Sequence, residues 1–122
     1  MKSRLSPAEQ REALEALRRA YEQELPAKIE TIARVLPSLQ AEGSDAAAFD
    51  GLFHLAHRLA GSAAIYGFED VRRAAAALEA LAMSAIEGHA PSGAALRDEL
   101  SAGIARLREA IPKPSADPGN RR

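Results

Sequence analysis

The sequence predicts an all-α fold, an antiparallel up-down-up-down four-helix bundle with an additional N-terminal helix. Three observations lead there. Four stripes of apolar residues repeat with the period of a helix rather than that of a strand. Apolar residues make up 47% of the chain and aromatics only 4%; much of the apolar share is alanine, which favours helix and disfavours strand. Short glycine- and proline-rich turns separate the stripes, so successive helices fold back beside one another. At 122 residues the chain is the size of one domain with one core.

The first stripe runs Leu14, Leu17, Tyr21 and Leu25, and continues through Ile29, Ile32, Leu36 and Leu39. Ser6-Pro7-Ala8-Glu9 opens it as a capping box with proline at the first helical position. Pro26 falls in mid-stripe, where it removes a donor and crowds the carbonyl of Glu22. Either a kinked helix or two helices meeting near Leu25 are therefore expected. Pro37 poses the same difficulty near the end, and Gly43 is a C-cap candidate.

The second helix is expected from Ser44-Asp45 to about Tyr66, ended by Gly67. The third starts around Phe68, with Glu69 and Asp70 favourably set against the N-terminal dipole. It carries Val71, Ala75, Leu78, Leu81, Ala82 and Ile86 and ends near Gly88. The turn Ala90-Pro91-Ser92-Gly93 leads into a fourth helix with Leu96, Leu100, Ile104, Leu107 and Ile111. Residues 1–111 read as one bundle, and residues 112–122, rich in proline and polar side chains, as a disordered tail.

Composition also excludes several classes. Without cysteine there is neither a disulfide framework nor a thiolate metal site. The N-terminal MKSRLSPAEQREALEALRR has no apolar run, so no secretory signal is expected, and no apolar stretch is long enough to span a membrane. A soluble, cytoplasmic protein is the expectation. Net charge is −1, from 16 basic and 17 acidic residues interspersed along the chain. Arg18-Arg19, Arg72-Arg73 and Arg121-Arg122 are short pairs that read as solvated faces or tail, not as a nucleic-acid footprint.

The second helix carries the unusual residues. On a wheel with His57 at zero, Leu52, Leu55, Ala56, Leu59, Ala63 and Tyr66 fall between roughly 160° and 260° and form the core face. His57 points away from it into solvent. Around it lie Phe53, His54, Ala60, Gly61, Ala64 and Ile65, where an exposed helix face would ordinarily carry Lys, Glu or Arg. Gly61 costs about 1 kcal/mol in a helix interior relative to alanine. It either leaves the imidazole open to approach or lets another helix pack closely.

The run Ala56-His57-Arg58-Leu59-Ala60-Gly61-Ser62-Ala63-Ala64-Ile65-Tyr66-Gly67-Phe68 resembles the signature of histidine-containing phosphotransfer (Hpt) domains. Leu78-Glu79 matches the leucine and acidic or amide residue that follow in that family, and the resemblance spans residues 10 to 111. It implies that His57 is the phosphorylated histidine, Gly61 the open-side glycine and Ser62 the small residue after it. One position departs: Ala60 stands where the family usually has a lysine near the phosphoryl group. Arg58 or a cation from the partner would have to substitute.

The resemblance further implies a monomeric phosphocarrier that takes a phosphoryl group from a receiver-domain aspartate or a kinase and passes it to another receiver. Response-regulator receivers and a hybrid sensor histidine kinase are the implied partners. Mg²⁺ would come with the receiver, and no cofactor would be bound by this chain. The sequence has no P-loop or glycine-rich nucleotide motif, so autophosphorylation from ATP is not expected.

Turn symmetry supplies a separate argument. His57 lies about eleven residues before Phe68 and Glu79 about eleven after it, so antiparallel helices would bring them to one level. A carboxylate there would accept the His57 Nδ1–H and leave Nε2 unprotonated. An ordinary boundary glutamate is the simpler alternative. The docking face would comprise Phe53, His54, Arg58, Ala60, Ala64 and Ile65; Phe68 and Glu69 are weaker candidates, Phe68 fitting the core better.

Three rival readings stay open. His54 and His57, at i and i+3, share a face and would form a metal site with His89, although the ligand set looks incomplete. A purely structural bundle is a second. A receiver-binding adaptor that no longer transfers phosphate is a third, kept open by Ala60.

Overall fold

A computed structural model describes residues 4–40, 46–90 and 93–113. The expected Ser44-Asp45 helix start, the Gly43 cap, the Pro91-Ser92 turn and tail residues 114–122 lie outside the described residues. Five helices follow one another: α1 (Pro7–Ala33), α2 (Leu36–Gln40), α3 (Ala46–Tyr66), α4 (Glu69–Ile86) and α5 (Ala94–Ala110). No strand occurs among the described residues. The fold is a helical bundle.

Helix ends follow local chemistry. The Ser6 hydroxyl accepts from the Glu9 N–H at 3.1 Å and the Glu9 carboxylate from the Ser6 N–H at 2.8 Å, so the capping box forms as read. At the end of α3 the chain turns left-handed at Gly67 (φ 82°), and the Phe68 N–H reaches back to the Ala63 carbonyl at 2.8 Å. The end of α4 repeats this pattern: Gly88 has φ 79°, and the His89 N–H donates to the Ser84 carbonyl at 2.8 Å. These two glycines hold conformations that a side chain would strain.

The bundle closes around one core. Tyr21, Leu25, Ile29 and Ile32 of α1 meet Leu52, Ala56, Leu59 and Ala63 of α3, Val71, Ala75, Leu78 and Ala82 of α4, and Leu100, Ile104 and Leu107 of α5. Each large apolar side chain so buried is worth about 1.5–3 kcal/mol. The wheel prediction for α3 holds, with Leu55 and Tyr66 half-buried at the edges. α4 presses on α5 at Gly103, where an added Cβ would stand 2.6 Å from Leu78 Cδ2.

The first stripe decides one open point and departs from expectation in another. Of the two readings at Pro26, one helix running through it is found, not two helices meeting near Leu25. Pro26 is exposed, so solvent can satisfy the carbonyl it orphans, while buried residues on both sides keep the two segments in register. Pro37 is the second residue of the short α2, in the first turn, where no intrahelical donor is needed. Leu14 and Leu17 are 64% and 52% exposed. The Arg18 Nε donates to the Tyr66 carbonyl at 3.0 Å, marking the level where α3 stops; before that point α1 overshoots its neighbour.

Candidate functional site

α3 and α4 run antiparallel from the Gly67-Phe68 turn, and the site spans the groove between them. His57 projects from the solvent side of α3 with 64% of its side chain exposed. Its Nδ1 lies 3.0 Å from Glu79 Oε2 on α4, so turn symmetry placed the pair correctly. A carboxylate only accepts hydrogen bonds, so in the neutral ring Nδ1 carries the proton and Nε2 the free lone pair at the opposite edge. Glu79 is 27% exposed, held between core and water.

A second contact orders the imidazole. Phe53, one turn earlier on α3, stacks on His57 with centroids 5.8 Å apart and planes 14° from parallel. The same phenyl ring meets His54 edge-on at 5.4 Å. Phe53 is half-buried and packs on the core cluster, whereas His54 is exposed. The i, i+4 spacing of Phe53 and His57 was available to sequence reasoning, which assigned Phe53 to docking alone.

Gly61 is exposed, and an added Cβ would meet nothing within 4 Å. Among the described residues, no helix packs on it. Of its two readings, open approach to the imidazole is the one compatible with this surface. Ala64 and Ile65 continue the exposed apolar face toward the end of α3, Ile65 being 80% exposed, and Ala60 is half-buried.

Ser62 and Arg58 turn elsewhere. The Ser62 hydroxyl lies 2.5 Å from the Tyr21 hydroxyl of α1, and it donates to the Leu59 carbonyl at 3.3 Å. It ties α3 to α1. On the wheel it stands roughly 140° from His57, so helical geometry alone separates the two side chains. Arg58 lines a groove with Lys28, Thr31, Ile32 and Leu55 on the α1 side of α3. Neither residue is brought to the His57–Glu79 pair.

The far end of the bundle holds a cluster that sequence reasoning missed. Tyr21 stacks on Tyr66 at 4.5 Å and lies 5.6 Å from Phe68, while the Arg18 guanidinium sits 4.4 Å above the Phe68 ring. Burial raises the Tyr21 pKa, against the hydrogen bond with Ser62 that lowers it. Phe68 is buried here as core and is no docking residue. Glu69 is engaged by Arg72, whose Nε donates to it at 3.0 Å; that bond holds the Glu69 carboxyl below its ordinary range.

Among the described residues, no three His, Cys, Asp or Glu side chains are grouped to hold a metal ion. His89 lies beyond the end of α4, 3.8 Å from Glu87. No helix among the described residues is long and apolar enough to cross a membrane.

No curated protein and no solved structure matches the chain. The family model of the Hpt domain matches residues 8–110, which takes in nearly all the described helices. The chain therefore belongs to the Hpt domain family, whose members carry out phosphotransfer in two-component signalling and engage response-regulator receivers and kinases.

Proposed function

We propose that His57 is the phosphoacceptor of a cytoplasmic phosphorelay carrier, taking a phosphoryl group from a receiver aspartate, or from a kinase, and passing it to another receiver. The observation that carries this reading is the exposed imidazole whose Nδ1 is bound by Glu79. Neutral imidazole is a competent nucleophile near neutral pH. The Nε2 lone pair forms a bond to phosphorus as the bond from phosphorus to the aspartyl oxygen breaks, and the carboxylate departs. The ring then bears positive charge with its proton still on Nδ1, and the Glu79 carboxylate stabilises that charge. Transfer onward reverses these bonds: the second receiver's aspartate attacks phosphorus, and Nε2 leaves with its electron pair.

Positioning and charge compensation dominate phosphoryl transfer. In this reading the chain binds no cofactor, and the receiver brings Mg²⁺ to offset the phosphoryl charge. With alanine at position 60 and Arg58 turned toward α1, the partner also supplies the cation that a lysine would otherwise provide. The receiver docks on the exposed face around His57, formed by Phe53, His54, Ala64 and Ile65, with Ala60 and Arg58 at its margin. A hybrid sensor kinase is the upstream donor, and the carrier itself, as a monomer, does not use ATP.

Ala60 favours one second reading, an adaptor that binds receivers without transferring phosphate. Incubation with phosphoramidate, followed by intact mass, separates the two. An acid-labile phosphoryl adduct on the wild type and not on His57→Gln supports the carrier. Receiver binding without any adduct supports the adaptor.

A further inference from the structure

We infer that Phe53 is a positioning residue for His57, setting the plane of the imidazole through its stacked ring; the inference rests on the phosphocarrier reading. A single hydrogen bond leaves one freedom in an exposed side chain. The bond from Nδ1 to Glu79 Oε2, 3.0 Å long, fixes an axis, and the ring can still pivot about it. The phenyl face, 14° from parallel, fixes that pivot. Phe53 is suited to the task because its own ring is anchored on the core cluster, while His57 stands in solvent.

The plane matters because the Nε2 lone pair lies within it. Setting the plane therefore sets the line along which phosphorus must approach, and misalignment at the reacting atom is costly. Phe53 has a second effect on the same step. As Nε2 bonds to phosphorus the imidazole becomes cationic, and a cation over an aromatic face within about 6 Å is stabilised. Phe53 would thus favour the charged ring over the neutral one. An exposed apolar residue that served only to dock a partner would need no parallel alignment with the imidazole.

The test uses the full chain with Phe53→Leu, which keeps an apolar, helix-favouring side chain, and Phe53→Tyr, which restores an aromatic face. Two readouts avoid any partner: the nitrogen and ring-proton NMR signals of His57, and the initial rate of labelling by phosphoramidate. In that labelling Nε2 bonds to phosphorus, the P–N bond of the donor breaks, and ammonia leaves. Phe53→Leu is expected to keep the helical circular dichroism and lose the ring-current shift on the His57 ring. The population protonated at Nδ1 should fall, and labelling should slow by about fivefold, the worth of one aromatic pair. Phe53→Tyr should recover both. Unchanged labelling and an unchanged tautomer in Phe53→Leu would overturn the inference, and a loss confined to receiver transfer would make Phe53 a docking residue only. A wild type that takes no label at all would sink the phosphocarrier reading instead; the NMR signals would still decide whether Phe53 orders the ring.

Discussion

His57 and Glu79 are joined across the α3–α4 hairpin by a 3.0 Å hydrogen bond, at positions equidistant from the turn at Phe68. That bond selects the tautomer with Nε2 free. Glu79→Ala should therefore shift the His57 tautomer balance toward protonated Nε2 and slow phosphoramidate labelling by about fivefold, the worth of one such hydrogen bond. Glu79→Gln, which keeps an accepting oxygen, should retain most of the rate. Nitrogen NMR and labelling kinetics check the two parts separately. The fold should be little affected, because the imidazole half of the pair stands largely in solvent.

Gly61 offers a separation of stability from docking. With nothing within 4 Å of an added Cβ, Gly61→Ala should raise stability by up to about 1 kcal/mol through helix propensity. In the carrier reading it should slow transfer from a receiver more than labelling by phosphoramidate. Thermal unfolding and the ratio of the two rates measure this. Faster transfer from the receiver would refute the open-side role.

Gly103 is the opposite case. Its Cβ would stand 2.6 Å from Leu78 Cδ2, and Leu78 is itself fully buried, so it has little room to yield. Gly103→Ala should cost about 1–3 kcal/mol by overpacking, less what helix propensity returns. Urea unfolding reads the loss. In combination with Leu78→Ala the two penalties should be less than additive, because the second change opens the space that the first one fills.

The overshoot of α1 predicts unequal leucines. Leu14→Gln and Leu17→Gln should change stability by less than about 0.5 kcal/mol, as surface substitutions do. Leu25→Ala, at a fully buried position, should cost about 2–5 kcal/mol. Equal losses at Leu14 and Leu25 would mean that the first turns of α1 are covered in solution.

Acid should weaken the link between α1 and α5. The Arg108 hydrogen bonds, at 2.8 Å, hold the Glu30 carboxyl below its ordinary range. Because the folded pKa is the lower one, the stabilisation is full above the unfolded glutamate value and is lost as pH falls through the folded value. The urea midpoint should drop as pH enters the carboxylate range. Arg108→Ala should reduce that drop by a small amount, which added salt also removes.

Much of the fold was legible because its boundaries are written locally. Ser6 and Glu9 announce α1, and Gly67 and Gly88 end α3 and α4 with left-handed turns that few other residues adopt. The same turn fixed the level at which Glu79 meets His57. Less legible were properties that depend on distant chain. Apolar periodicity shows that Leu14 and Leu17 share a face with Tyr21, but not that α3 stops short of them. Pro26 reads as a kink or a break because its own chemistry opposes helix, whereas the buried residues flanking it keep one helix running through it. Ser62 was placed at the site by family pattern, although the wheel already turns it away from His57, and the structure joins it to Tyr21 of α1.

Phe53, His57 and Glu79 all belong to one hairpin, with His57 and Glu79 separated by only 22 residues along the chain. Closing so short a segment costs little entropy, and contacts of this kind form early when a chain folds. The α3–α4 hairpin is thus the natural unit of assembly, with α1 arriving across longer sequence distances. Under mild denaturant the chain should shed the exposed first turns of α1 while the imidazole and its carboxylate remain paired. Chemistry and partner-facing surface would then be carried by the most persistent part of the molecule, and the outer helices would be free to drift in sequence without disturbing it.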